Sequence, residues 1–275
     1  MASEYLGMAH SVDELVALID HDRLAAADMV ASTFACEVAA SVATITEIST
    51  IASARVSADM QVASAKVLTD AEVTAATLSA SAEMLISEYR QKMSRPITKS
   101  ARAASEAMLK KTGQSHIDHL SESAKQSVEA IEREAQNAIL KIRNIGNDAI
   151  NNINDLVEAV SSKTRKSAAA AAEKLATYRH DPHTREEMVA EAEAAARIVT
   201  AASESASSSL RAEVNAALVN IRAVTDEACR SIQSVVEAAK KRIDLALEKA
   251  TGRVRGVISE QIWGVSPSFA ARPDE

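Results

Sequence analysis

Aromatic residues are scarce in this chain of 275 residues: one Trp, three Tyr and two Phe, or 2% of the total. Globular domains of that length build their interiors on such side chains, so a thick core is excluded and thin helical packing remains. Gly and Pro are nearly as rare, at six and four, too few to punctuate one or two thick domains. The two cysteines, Cys36 and Cys229, stand far apart with no CxxC or Cys/His spacing. That excludes a zinc motif and reads as two lone thiols of a reducing compartment, with a disulfide open only if two antiparallel helices bring them together. Long apolar runs are missing too: Asp28, Glu37, Glu47 and Asp59 interrupt the most apolar stretch, so no transmembrane segment is expected. Met1 to Gly7 lacks a basic stretch leading into an apolar run, and a signal peptide is not expected. A soluble, cytoplasmic protein follows from these absences.

Abundance tells the complementary story. Alanine occurs 56 times, among many Ser and Thr, in long runs with Glu, Lys and Arg. These residues favour helix, and small side chains let helix backbones approach closely. Larger apolar residues recur every eleventh position. Phe34, Ile45, Val56, Val67, Leu78 and Tyr89 form one row and Ile51, Val62, Val73 and Met84 a second. Ile117, Val128, Ile139 and Ile150 then run beside Leu120, Ile131, Ile142 and Ile153, and a third array holds Met188, Val199, Leu210, Ile221, Ile232, Ile243 and Val254. Eleven residues over three turns is about 3.67 per turn, which predicts nearly straight or gently right-handed stripes instead of a heptad seam. The fold class is therefore all-α: an elongated, Ala-rich rod or bundle of three long helices with eleven-residue coiled-coil periodicity.

Local signals divide the chain. Residues 1–10 read as an N-terminal arm. Ser11 with Glu14 makes a capping box that opens a first helix over 11–95, and Ser94-Arg95-Pro96 breaks it, because proline lacks an amide hydrogen and disfavours helix at the preceding residue. A second helix covers 96–179, with Thr112-Gly113 marking a kink near 113. His180-Asp181-Pro182-His183-Thr184 is a turn with N-caps at Asp181 or Thr184, and a third helix spans 184–263. A link this short predicts antiparallel neighbours, with positions near 174 and 190 side by side. Residues 264–275, with Pro267 and Pro273, read as a flexible C-terminal tail; Trp263 at its entry and Phe269 read as a staple on the helix end.

Charge is uneven. The chain carries 31 basic and 38 acidic residues, net −7, which disfavours general nucleic-acid binding. Residues 1–95 hold 13 acids and 6 bases, 96–180 hold 10 and 13, and 181–275 hold 15 and 12. Lys92, Arg95, Lys99, Arg102, Lys110 and Lys111 cluster at the first break, and Lys240, Lys241, Arg242, Lys249, Arg253 and Arg255 near the end of the third helix. Neither cluster is interleaved with aromatics, as single-strand binding requires.

Chemical sites are few. His116/His119, with Asp118, and His180/His183 have ligand-like spacings but no third ligand in view, and read as surface histidines. Glu132/Glu134 and Glu186/Glu187 have no flanking histidine or apolar pocket and read as solvated. Asn137, Asn144, Asn147, Asn151, Asn152 and Asn154 flank the second array as a polar face. No P-loop, GxGxxG, nucleophile elbow or zinc pattern is present. Gly252 and Gly256 have GxxxG spacing, but Arg253 and Arg255 exclude a membrane dimer.

No catalytic residue, metal or cofactor is assigned on this reading. The expected function is structural: a non-enzymatic coiled-coil protein that self-associates as spacer, scaffold or filament subunit. Its interaction stripe comprises Phe34, Ile45, Val56, Val67, Leu78, Val128, Ile131, Ile139, Ile142, Leu210, Ile221, Ile232 and Ile243. The expected partner is a second copy, in a homo-oligomer. In composition and period the chain also resembles exchangeable lipid-surface proteins and the phasins that cover storage granules, which implies the alternative of an amphipathic-helix coat on a hydrophobic granule or lipid surface.

Overall fold

Long runs of Ala, Glu, Lys and Arg without Gly or Pro leave the backbone no cheaper choice than helix. The computed structural model describes residues 22–93, 99–180 and 186–263, and all but Asp22 are helical. The fold is all-α, with three long helices: α1 (Arg23–Met93, 71 residues), α2 (Lys99–His180, 82 residues) and α3 (Glu186–Trp263, 78 residues). Among the described residues there is no strand.

α1 starts at Arg23, where the Asp22 carboxylate accepts the Ala25 amide at 3.0 Å and the Asp22 carbonyl accepts that of Ala26 at 2.9 Å. Asp22 is thus the N-cap; Ser11 and Glu14 lie outside the described residues. So do the break at Ser94 to Pro96, the turn at Asp181 to Thr184 and the tail from Gly264. At the position of the expected kink near 113, α2 continues as one helix through Gly113. That glycine serves a close approach, since a Cβ there would stand 2.2 Å from Ile258 Cδ1.

The chain forms two compact units, and each helix contributes to both. The first comprises Met1–Val56 and Arg143–Asp226. Its core holds Val30, Phe34, Ile45, Ile153, Leu175, Val199, Leu210 and Ile221, each at most 2% exposed, among alanines such as Ala27, Ala171 and Ala195. Helices α1 and α3 run parallel here: Arg23 pairs with Glu191 at 3.1 Å, and Asn220 donates to Ser49 at 3.3 Å, offsets of 168 and 171 residues. Gly146 of α2 meets Thr225 of α3, where a Cβ would lie 2.6 Å from Oγ1. Carried along antiparallel helices, this register puts position 174 level with 197 instead of 190.

The second unit comprises Ser57–Ile142 and Glu227–Glu275. Val67, Leu78, Ile131, Ile142, Ile232, Ile243 and Val254 fill it, each at most 2% exposed. Arg242 pairs with Glu72 at 2.7 Å and Arg253 with Glu83 at 3.2 Å, both at an offset of 170, so α1 and α3 are parallel here too. Lys141 reaches Asp59 at 3.1 Å and Lys66 reaches Glu134. Each step forward on α1 is a step back on α2, as antiparallel helices require.

Candidate interaction surface

All thirteen residues of the expected stripe face the inside of the chain's own units. Phe34, Ile45, Val56, Leu210 and Ile221 are buried in the first unit, and Val67, Leu78, Ile131, Ile142, Ile232 and Ile243 in the second. Val128 and Ile139 are half-buried. Burial of one such aliphatic side chain contributes about 1.5–3 kcal/mol, and these contacts join helices of a single chain.

The second row of α1 does the opposite. Ile51 is 45% exposed, and in the second unit Val62, Val73 and Met84 are 68%, 59% and 61% exposed. Each residue of the second row stands six positions beyond one of the first, about 120° away around the helix. Only one can face inward in a three-helix unit, and α2 and α3 cover the row of Val67. The hydroxyls around the exposed row are self-contained. Thr69 donates to the Ala65 carbonyl at 2.9 Å and Thr77 to that of Val73 at 2.8 Å. Thr44, Thr46 and Thr50 do the same farther up α1. Each hydroxyl hydrogen is thus satisfied within its own helix.

Ion pairs frame this face in the second unit. Toward α3 stand Glu72–Arg242 and Glu83–Arg253, and toward α2 stand Asp59–Lys141 and Lys66–Glu134. The bond to Glu134 raises the Lys66 pKa, and Lys240 is raised by its bonds to Glu132 and then Glu237. Glu132 and Glu134 are therefore ion-pair partners and not merely solvated. A shallow groove of about 590 Å³ runs beside Val62, floored by Ala63, Ala130 and Ala138 and bordered by the Asp59 and Lys66 pairs. In the first unit a second, of about 440 Å³, is lined by Arg165, Arg211, Glu204 and three serines.

The histidines are placed unevenly. His116 Nδ1 lies 2.7 Å from the Tyr89 hydroxyl, with the rings tilted by 54°. Tyr89 is 3% exposed, and burial, then Glu88, raises its pKa. His119 is exposed. The His180 side chain and His183 lie outside the described residues. Among the described residues no three His, Cys, Asp or Glu groups gather as a metal site. All six asparagines of the polar run are exposed. Cys36 is exposed and Cys229 buried, both as free thiols.

One expectation changes. By length and composition alone, α1 contains an 18-residue window apolar enough to cross a bilayer, 28% of it buried. Counting charges missed this, because Ala, Val and Ile keep the average high even where an acid interrupts.

Sequence reasoning overlooked the charge-free sector formed by Ala58, Ala65, Ala76 and Ala80 beside the exposed row. Projecting charged positions around the helix, instead of apolar ones, would have found it.

No family model and no curated protein matches this chain. Among solved structures, a computationally designed three-helix bundle is similar at a TM-score of 0.49 and 10% identity, over 92% of this chain and 98% of that one.

Proposed function

We propose that this chain is a non-enzymatic structural protein of the cytoplasm that self-associates, serving as scaffold, spacer or filament subunit. The observation that carries the reading is the division of labour on α1: one apolar row is consumed between the chain's own helices, while the next stands exposed at 59–68% over Val62, Val73 and Met84. An exposed apolar strip of this kind invites a cover. Two free thiols fit a reducing compartment.

The alternative is a coat on a lipid or storage-granule surface, and the apolar window of α1 favours it. Sedimentation equilibrium and negative-stain electron microscopy of the full chain, with and without neutral-lipid emulsion, separate the two. Discrete oligomers or filaments without lipid support the scaffold; a monomer that assembles only on lipid supports the coat.

A further inference from the structure

We infer that the hollow between α2 and α3 in the first unit is a binding site for a phosphate monoester group. The site is independent of self-association and goes beyond it. The antiparallel register places its parts: nineteen residues on from Gly146 lies Arg165, and nineteen back from Thr225 lies Ala206. Arg165 of α2 therefore meets the stretch of α3 that carries Ser203, Glu204, Ser207, Ser208 and Arg211, and these six residues line a hollow of about 440 Å³. Ser203, Ser207 and Arg211 follow one another at steps of four, with Glu204 and Ser208 beside them, so one side of α3 presents all five.

Uncommitted donors mark this hollow. Neither Arg165 nor Arg211 makes an ion pair or a hydrogen bond among the described residues, although Lys163, two residues from Arg165, is held by Glu37 and Arg23 by Glu191. The hydroxyls of Ser203, Ser207 and Ser208 bond to no protein group either. Elsewhere on these two helices Ser121, Ser127 and Thr225 each donate to the carbonyl four residues before. The eleven-residue period shows what is missing. Three elevens before Arg165 stands Glu132 on α2, and three elevens after Ser207 stands Lys240 on α3, and in the second unit that acid and base pair across the seam. In the first unit the same register sets a cation against a hydroxyl, and the anion is left to be supplied.

Donor count selects the anion. Two guanidinium forks offer about four hydrogen bonds and three hydroxyls about three more, whereas a carboxylate has about four lone-pair sites to receive them. A phosphate monoester presents three strong acceptor oxygens and close to two negative charges, which takes up both forks and the hydroxyls together. Glu204 is the acid in the lining. It repels the dianion toward the arginines and is free to accept from a hydroxyl on the group that carries the phosphate.

The test is titration of the full chain with inorganic phosphate at about pH 8, where the anion is mostly the dianion, followed by phosphorus NMR. Wild type is compared with Arg165→Met, Arg211→Met and Arg222→Met, with circular dichroism confirming that each variant folds. Arg222 is the control: it is exposed and stands eleven residues beyond Arg211 on α3, with Val214, Leu218 and Val219 in the places of Ser203, Ser207 and Ser208. Wild type and Arg222→Met should bind phosphate alike, and each of the other two should raise the dissociation constant at least about tenfold through the loss of charge-assisted hydrogen bonds. Glu204→Gln should tighten binding, since it removes the like charge from the lining. A second arm, cosedimentation with phosphatidylcholine vesicles with and without phosphatidic acid, finds the source of the phosphate. Capture only by vesicles containing phosphatidic acid, lost in Arg165→Met, supports the site and assigns it to a lipid headgroup; phosphate binding without capture supports it and assigns it to a soluble ester. No binding in either arm, or equal weakening by Arg222→Met, overturns the site and leaves the self-association reading as it stands.

Discussion

Gly146→Ala and Gly256→Ala are the same chemical change in the same kind of helix, and they should move stability in opposite directions. Alanine gains about 1 kcal/mol over glycine in a helix interior. At Gly256 nothing lies within 4 Å of the new Cβ, so the whole gain is kept and the melting temperature should rise by about 2–4 °C. At Gly146 the Cβ would lie 2.6 Å from Thr225 Oγ1 and 3.4 Å from its Cγ2. Thr225 is 9% exposed, stiff at its branched Cβ, and its hydroxyl donates to the Ile221 carbonyl at 2.7 Å. Overpacking of this kind costs about 1–3 kcal/mol, and loss of the hydroxyl bond about 1 more. Net destabilisation of about 1–3 kcal/mol remains after the helical gain. Gly113→Ala should fall between the two, because the obstructing atom, Ile258 Cδ1, is the free end of a side chain that can swing. Urea unfolding followed by circular dichroism at 222 nm provides the comparison, and adding Thr225→Ala to Gly146→Ala should recover part of the loss. If Gly146→Ala proves as stabilising as Gly256→Ala, the α2–α3 approach in the first unit is wrong.

Val67→Asp should cost several kcal/mol, because Val67 is fully buried and an unpaired charge cannot be hydrated there, while Thr69→Asp, exposed two residues on, should leave the unfolding midpoint of the monomer nearly unchanged; equal midpoints would mean the wrong face of α1 points inward. Alkaline pH should loosen the second unit first. Tyr89, Lys66 and Lys240 all titrate above their ordinary values of 10.0 and 10.5, so their contribution is complete below about pH 10 and is lost as pH rises through the raised values. Ultraviolet titration of tyrosinate in a Tyr5→Phe/Tyr178→Phe background should place Tyr89 above 10.0; a value at or below that would remove the buried environment assigned to it. Cys36 should react with a thiol reagent at once and Cys229 only at the rate of opening; equally fast labelling of both would contradict the packing around α3.

Helix identity was legible in the sequence because it depends on local composition and spacing, and the apolar rows, such as Phe34 through Tyr89, could be counted there. The sense of the packing was not, since the role of Ile51, Val62, Val73 and Met84 depends on how many neighbours a helix has. Two rows of equal hydropathy look alike until α2 and α3 occupy one side. Gly113 looked like a stop signal for the same reason, since the sequence around it says nothing of Ile258, distant along the chain. Tyr89 and His116 likewise meet only because α2 turns back beside α1. The outward face was written in the sequence as missing charge, a signal that apolar periodicity does not register.

The register has a consequence for how such a chain can change length. In the second unit α1 and α3 keep an offset of 170 residues while α2 runs against them. Losing one residue from α1 would rotate everything beyond it by about 100° and turn an inward Val or Leu to the water. Losing eleven rotates it by only about 20°, because eleven residues nearly complete three turns. Eleven residues cut from α1 alone would still slide Glu83 past Arg253. Cut at the same level from all three helices, around residues 62–72, 128–138 and 232–242, they would leave every surviving partner opposite its old one. The chain can therefore shrink or grow in whole triplets of eleven, and a deletion library of this unit should yield its folded survivors in steps of that size.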